Sequence, residues 1–165
     1  MKKHKWCWIP LIGLALLLAS PLVACASEPE AVYAPDFTLP TLDGESVTLS
    51  GLRGKPVMLT FWTTHCPACM FQAPFVQALY DKSSSEEVAV LTVAVGESAT
   101  SVQNFVTSHG LTYPVLIDTQ GRVAQAYGIP GVPTTFFVDA EGIVKAYKVG
   151  PFQGEDQMNS VVKSL

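Results

Sequence analysis

Two cysteines three positions apart, Cys66 and Cys69, are the residues of this chain best suited to do chemistry. They stand in Trp62-Thr63-Thr64-His65-Cys66-Pro67-Ala68-Cys69, where an apolar run ends and a helix-forming stretch begins. A spacing of three on a helix returns the second side chain to the face of the first, close enough to close a small disulfide ring. Cys66 falls at the expected N-cap, where unpaired backbone N–H groups and the helix dipole favour a thiolate. Pro67 suits the first helical position, where its missing N–H is not needed. The arrangement points to dithiol–disulfide exchange, with Cys66 exposed and attacking and Cys69 more buried and resolving the mixed disulfide. Two blander readings fit less well. An inert disulfide around so short a loop would constrain little of the unfolded chain. A structural zinc site needs about four ligands, and after removal of the leader described below only His65 and His109 could join the pair.

The elements that must hold this pair follow from hydrophobic patterning. Pro56 to Trp62 is a nearly unbroken apolar run, as expected of a strand covered on both faces. Ala68 to Tyr80 suits a helix, with Pro74 expected to kink it. Asp36 to Leu39 and Ser46 to Leu49 read as short strands around the Asp43-Gly44 turn. Val88 to Val95 is a second buried strand. Ser98 N-caps a helix running to His109. Val115 to Ile117 is a brief strand, and Arg122 to Tyr127 a short helix closed by Gly128. Thr134 to Val138 and Ile143 to Val149 form two more strands, and Glu155 to Leu165 an amphipathic helix with Met158, Val161, Val162 and Leu165 on one side. Buried strands alternating with helices indicate a single α/β domain of three layers around a mixed sheet. The length of 165 residues allows one such domain.

The start of the chain reads as an export signal. Lys2, Lys3 and Lys5 precede an apolar stretch from Trp6 to Ala19, which Ser20-Pro21 breaks. The stretch ends in Leu22-Val23-Ala24-Cys25, which resembles the lipobox of bacterial lipoproteins. That resemblance implies cleavage before Cys25 and acylation of its sulfur, so that residues 1–24 are a signal peptide, 25–33 a polar spacer and 34–165 the folded domain. An uncleaved membrane anchor is the alternative, since the apolar run can be stretched to about 20 residues. Either way the domain lies outside the cytoplasm. Removal of Lys2, Lys3 and Lys5 leaves seven basic groups against 14 acidic ones, a net of −7. A body that acidic repels phosphate backbones, which argues against nucleic acid as a partner. With Cys7 removed and Cys25 lipidated, Cys66 and Cys69 are the free pair, and a lone C-x-x-C in an exported domain reads as a redox centre.

Several further segments carry a family resemblance. Ala34-Pro35-Asp36-Phe37-Thr38-Leu39, the strand–CPAC–helix unit, Tyr113-Pro114-Val115, Tyr127-Gly128 and Gly131-Val132-Pro133-Thr134-Thr135-Phe136 follow one another as in the TlpA/ResA-like thiol-disulfide oxidoreductases. That group belongs to the thioredoxin superfamily and includes cytochrome c maturation reductases; the similarity covers about residues 33–165. The resemblance implies a thioredoxin-like fold with an N-terminal β-hairpin and a helix-strand insertion. It also implies that Pro133 is cis and faces the disulfide and that the backbone of Val132 pairs with the substrate chain. Trp62, His65 and Pro67, around the first cysteine, are expected to border the substrate.

The chain departs from the family in three places. His65 replaces a Trp common before the first cysteine; it either supports the Cys66 thiolate as an imidazolium or merely faces solvent. Gln72 stands where several relatives carry Glu, and Thr60 where thioredoxins carry a buried Asp, so neither can be a carboxylate base for Cys69. Two rival functions remain. A peroxiredoxin shares the Ala-Pro-Asp-Phe opening, but Leu59 occupies the proline position of its P-x-x-x-T-x-x-C pattern. A Sco-like copper module would combine two thiolates with a distal His, here His109, which reads instead as the end of a helix beside Gly110. The expectation is a monomer without organic cofactor or metal. Its partners would be protein thiols and disulfides, an upstream exported or membrane thiol-disulfide electron donor, and the membrane through a lipid on Cys25.

Overall fold

The computed structural model describes residues 30–83 and 87–165. A hairpin of β1 (Thr38–Pro40) and β2 (Ser46–Thr48) leads through a 3-10 turn at Leu49–Leu52 into β3 (Val57–Trp62). Next come α1 (Pro67–Lys82), β4 (Ala89–Val95), α2 (Ala99–His109), β5 (Val115–Asp118) and α3 (Arg122–Ala126). The chain closes with β6 (Thr134–Val138), β7 (Val144–Val149) and α4 (Glu155–Val162). The main sheet has the order β5-β4-β3-β6-β7. β3, β4 and β5 run parallel, whereas β6 and β7 are antiparallel to their neighbours. Parallel neighbours need a long crossover, which α1 and α2 supply; the antiparallel β6–β7 pair needs only the turn Asp139-Ala140-Glu141-Gly142.

All six residues of β3 are buried, which is why its sequence shows no polar alternation. Successive side chains point to opposite faces and so divide the core in two. Met58 and Trp62 pack with Val76 and Leu79 of α1, Val102 and Val106 of α2 and Met158 of α4. Val57, Leu59 and Phe61 pack with Phe37 and Leu39 of the hairpin region, Leu49, Ala124 of α3 and Tyr127. The result is the thioredoxin-like three-layer α/β fold with a mixed five-stranded sheet, a separate hairpin and the α2–β5 insertion.

Local signals operate as the sequence suggests. Ser98 Oγ accepts the Ser101 N–H at 3.2 Å to cap α2, and Gly110 ends it in the left-handed region at φ 61°. α1 continues through Pro74 to Lys82, so the proline does not end the helix. α4 stops at Val162, short of the expected Leu165. Its last residues turn back in i→i+3 bonds, Ser164 N–H to the Val161 carbonyl and Leu165 N–H to that of Val162, a tightening common at helix C-termini. The expected spacer also yields its last residues to the domain. The Val144 N–H donates to the Val32 carbonyl at 2.8 Å, and Tyr33 bridges Ile143. The expected signal peptide 1–24, the lipobox-like ending and Cys25 lie outside the described residues. Among the described residues no helix is long and apolar enough to cross a membrane.

Asp36 fastens the hairpin to the turn that precedes β3. Its Oδ1 accepts the N–H groups of Ser50 at 2.9 Å and Phe37 at 3.0 Å. Hydrogen bonds from Ser50, the side chain first, hold this carboxyl below its ordinary range against a smaller opposing effect of burial. A carboxyl depressed in the folded state contributes stability above its unfolded pKa of about 3.9, and that contribution disappears as pH falls through the lower folded value. Asp36→Asn should therefore lower stability near neutrality and flatten the acid limb below about pH 4. Urea midpoints measured from neutral pH down through that limb check this; an unchanged acid limb would show that Asp36 makes no such contribution.

Candidate active site

β3 points its C-terminal end at the start of α1, and the loop Thr63–His65 joins them. Cys66 is the N-cap, with extended φ −94° and ψ 108°, and Pro67 occupies the first helical turn. The Cys69 N–H donates to Cys66 Sγ at 3.1 Å, so sulfur takes the place that a Ser or Asp oxygen fills in ordinary caps. Cys66 and Cys69 are joined as a disulfide, their Cα atoms 5.2 Å apart. Cys66 is half-buried, while Cys69 is only 6% exposed. A partner can therefore reach the first sulfur and not the second. In the reduced state the same cap would favour a thiolate at Cys66, because the first-turn N–H groups and the helix dipole point at it.

The loop before β6 closes the other side. The Val132–Pro133 peptide bond is cis, and the Val132 carbonyl oxygen lies 3.6 Å from Cys66 Sγ. Sheet contacts pin this loop: the Gly150 N–H donates to the Pro133 carbonyl at 2.8 Å, and Thr134 Oγ1 donates to that of Gly131 at 2.7 Å. Val132 is half-buried and Pro133 buried beside the disulfide. Pro67 and His65 are both exposed.

Trp62 departs from the expectation of a substrate contact. Its ring is 4% exposed and packs against Phe105 at 5.3 Å between centroids. The reason is pleat parity: Trp62, the last residue of β3, points into the core between the sheet and its helices, a cluster that also includes Cys69, and not out to solvent. Its Nε1 is a buried side-chain nitrogen without a hydrogen-bond partner among the described residues. Behind Cys69, Thr60, Thr92, Gln72 and Tyr113 line a small cleft with Trp62 and Pro133. Thr60 and Thr135 hydroxyls hydrogen-bond at 3.0 Å, and Gln72 Oε1 accepts the Phe152 N–H at 2.9 Å, tying α1 to the segment before α4. Burial pushes the Tyr113 phenol well above its ordinary value, so it stays neutral at physiological pH. Among the described residues this cleft offers Cys69 polar neighbours but no carboxylate. His109, the distal histidine weighed above for copper, ends α2 and stacks on Phe105 at 4.0 Å.

Sequence reasoning missed Glu97. Its carboxylate accepts the Thr64 N–H through Oε2 at 2.9 Å, and its Oε1 accepts the Thr64 hydroxyl. His65 Nδ1 stands 3.2 Å from the same oxygen, and the Glu97 side chain is only 10% exposed. Strand register produces this meeting. Trp62 pairs with Ala94 in the parallel β3–β4 ladder, so the residues three beyond this pair, His65 and Glu97, emerge side by side. The useful signal would have been that register, which one sequence does not print. Glu97→Ala leaves the Thr64 N–H without its acceptor and should cost about 1–3 kcal/mol. Glu97→Gln keeps an acceptor and should cost less. Urea denaturation of the oxidised proteins checks the order, and an Ala variant as stable as wild type would show these contacts to be idle.

Residues 29–164 match the Redoxin family. The ResA thiol-disulfide oxidoreductase of Geobacillus thermodenitrificans is 42% identical over 123 residues, covering 74% of this chain and 71% of the relative. That of Halalkalibacterium halodurans is 40% identical over 163 residues, covering 91% and 90% respectively. Among solved structures, the exposed lipoprotein thioredoxin of Streptococcus pneumoniae superposes with a TM-score of 0.67 at 32% identity, covering 79% of this chain and 100% of that one. A half-exposed sulfur capping a helix, a buried sulfur one turn on and this kinship agree: the chain belongs to the Redoxin family and is a thiol-disulfide oxidoreductase of the ResA type.

Proposed function

We propose that Cys66 is the nucleophile and Cys69 the resolving thiol of a lipid-anchored reductase acting on exported protein disulfides. The observation that carries this reading is the asymmetry of the pair, a half-buried sulfur at the helix N-cap against a buried one. The Cys66 thiolate attacks one sulfur of the partner disulfide; an S–S bond forms between the proteins and the partner's other sulfur leaves as a thiolate. Cys69, after losing its proton, attacks Cys66 Sγ. The intramolecular disulfide forms, the second partner thiol departs, and two electrons have passed to the partner. A second exported or membrane thiol protein returns the enzyme to its dithiol form, so the disulfide itself is the redox group and no organic cofactor enters. With no carboxylate in the Cys69 cleft, solvent takes the Cys69 proton. Val132 offers its backbone to the incoming chain beside Pro133.

Anchoring through Cys25 rests on the Lys2-Lys3-Lys5 start, the apolar stretch and the Leu22-Val23-Ala24-Cys25 ending. A solved relative that is named an exposed lipoprotein supports it. Two or more acyl chains hold a protein to a bilayer where one alone is marginal. A monomer on the outer face of the cytoplasmic membrane, reducing disulfides in a role like cytochrome c maturation, fits these features and the family resemblance.

Cys66→Ser should abolish disulfide exchange. Cys69→Ala should accumulate mixed disulfides with the partner on non-reducing gels; normal turnover by either variant would refute the assignment. Cys25→Ser should release the protein from the membrane fraction and remove acyl-chain labelling, and undiminished labelling would place the lipid elsewhere.

A further inference from the structure

The solvent side of the N-terminal half of α1 is apolar. Pro67, Met70, Phe71 and Pro74 are all exposed, Met70 at 43% and Phe71 at 51%. Spacings of three and four align them in one row, while Cys69, Gln72, Ala73 and Val76 of the same helix are already buried. A surface helix ordinarily turns polar side chains to water. Here no Asp, Glu, Lys or Arg occurs from Cys66 to Tyr80. The row starts at the reactive sulfur. The Met70 N–H donates to the Cys66 carbonyl at 3.0 Å, and helical side chains lean toward the N-terminus, which carries Met70 toward Cys66 and Phe71 toward Pro67. Phe71 is braced edge-on against Phe75 at 5.5 Å. Across the disulfide the rim stays uncharged, since Gly128 to Pro133 holds no ionisable side chain.

Resting on the exchange reaction above, we propose that the stripe Pro67–Met70–Phe71–Pro74 is the docking surface for the partner protein and selects one whose reacting cysteine is flanked by apolar side chains. Approach to Cys66 Sγ leaves the flanking residues of the partner little choice of where to rest: the α1 stripe on one side, the Val132 loop on the other. A charged flank resting on either surface would lose hydration and meet no ionisable side chain within it; His65 and Glu97 lie outside both, in the loop before Cys66 and just after β4. An apolar flank removes Met70 and Phe71 from water. The stripe is continuous with the reacting atom and lacks the cations that an anionic bilayer would attract, which favours a protein occupant over a membrane.

Two synthetic peptides with intramolecular disulfides provide the test, one with Leu and Phe beside its cysteines and the other with Ser and Asp. The full chain, held in phosphatidylcholine nanodiscs and reduced beforehand, should react about tenfold faster with the apolar peptide. Met70→Gln/Phe71→Gln should bring that ratio to within about twofold of unity, and each single variant should lower it partway. Equal rates for the wild-type chain, or a ratio untouched in the double variant, would overturn the docking proposal alone. Failure of the wild-type chain to exchange with either peptide, or with a low-molecular-weight disulfide, would remove the exchange reading and this proposal with it.

Discussion

The structure depends on one junction, in which a strand buried on both faces delivers a sulfur to the first turn of a helix. Every residue of β3 is buried, so the strand has little freedom to shift and its end is fixed in space. The unpaired N–H groups of α1 open at that end, and Cys66 Sγ accepts one of them from Cys69 at 3.1 Å. An electronegative atom is needed at such a cap. Sulfur satisfies it weakly as a thiol or disulfide and strongly as an anion, so the requirement that completes the helix would also activate Cys66 in the proposed role of nucleophile.

Around the junction, separate elements contribute constraints that none could provide alone. The parallel register of β3 and β4 brings Glu97 to Thr64 and holds the loop before Cys66. The antiparallel β6–β7 pair fixes the Val132–Pro133 turn against the sulfur. Gln72, buried one turn past Cys69, spends its carbonyl on the Phe152 N–H and couples α1 to the C-terminal segment. Neutral polar groups thus line the space behind Cys69 without placing a charge there. Such groups stabilise the interior when hydrogen-bonded and would destabilise it if left unpaired.

Much of this could be read from the chain before any fold was known, because the signals are local. The unbroken run at Val57–Trp62, the Ser98 cap, the Gly110 stop and the Cys66-Pro67-Ala68-Cys69 start each depend on neighbours in sequence. Trp62 and Glu97 escaped for complementary reasons. An aromatic beside an active-site motif suggests a contact surface, but pleat parity turned Trp62 into the core against Phe105. An isolated Glu after a strand suggests a solvated loop, but strand pairing set it beside Thr64 and His65.

The sequence by itself determined which residues could react and in what order along a helix, since cap chemistry and a spacing of three need only a few peptide units to operate. Tertiary structure alone decided that Trp62 turns into the core and that Glu97 braces the loop before Cys66. Those outcomes depend on strand order, register and the side of the sheet each helix covers, and these arise from contacts between residues dozens of positions apart whose pairing no local pattern encodes.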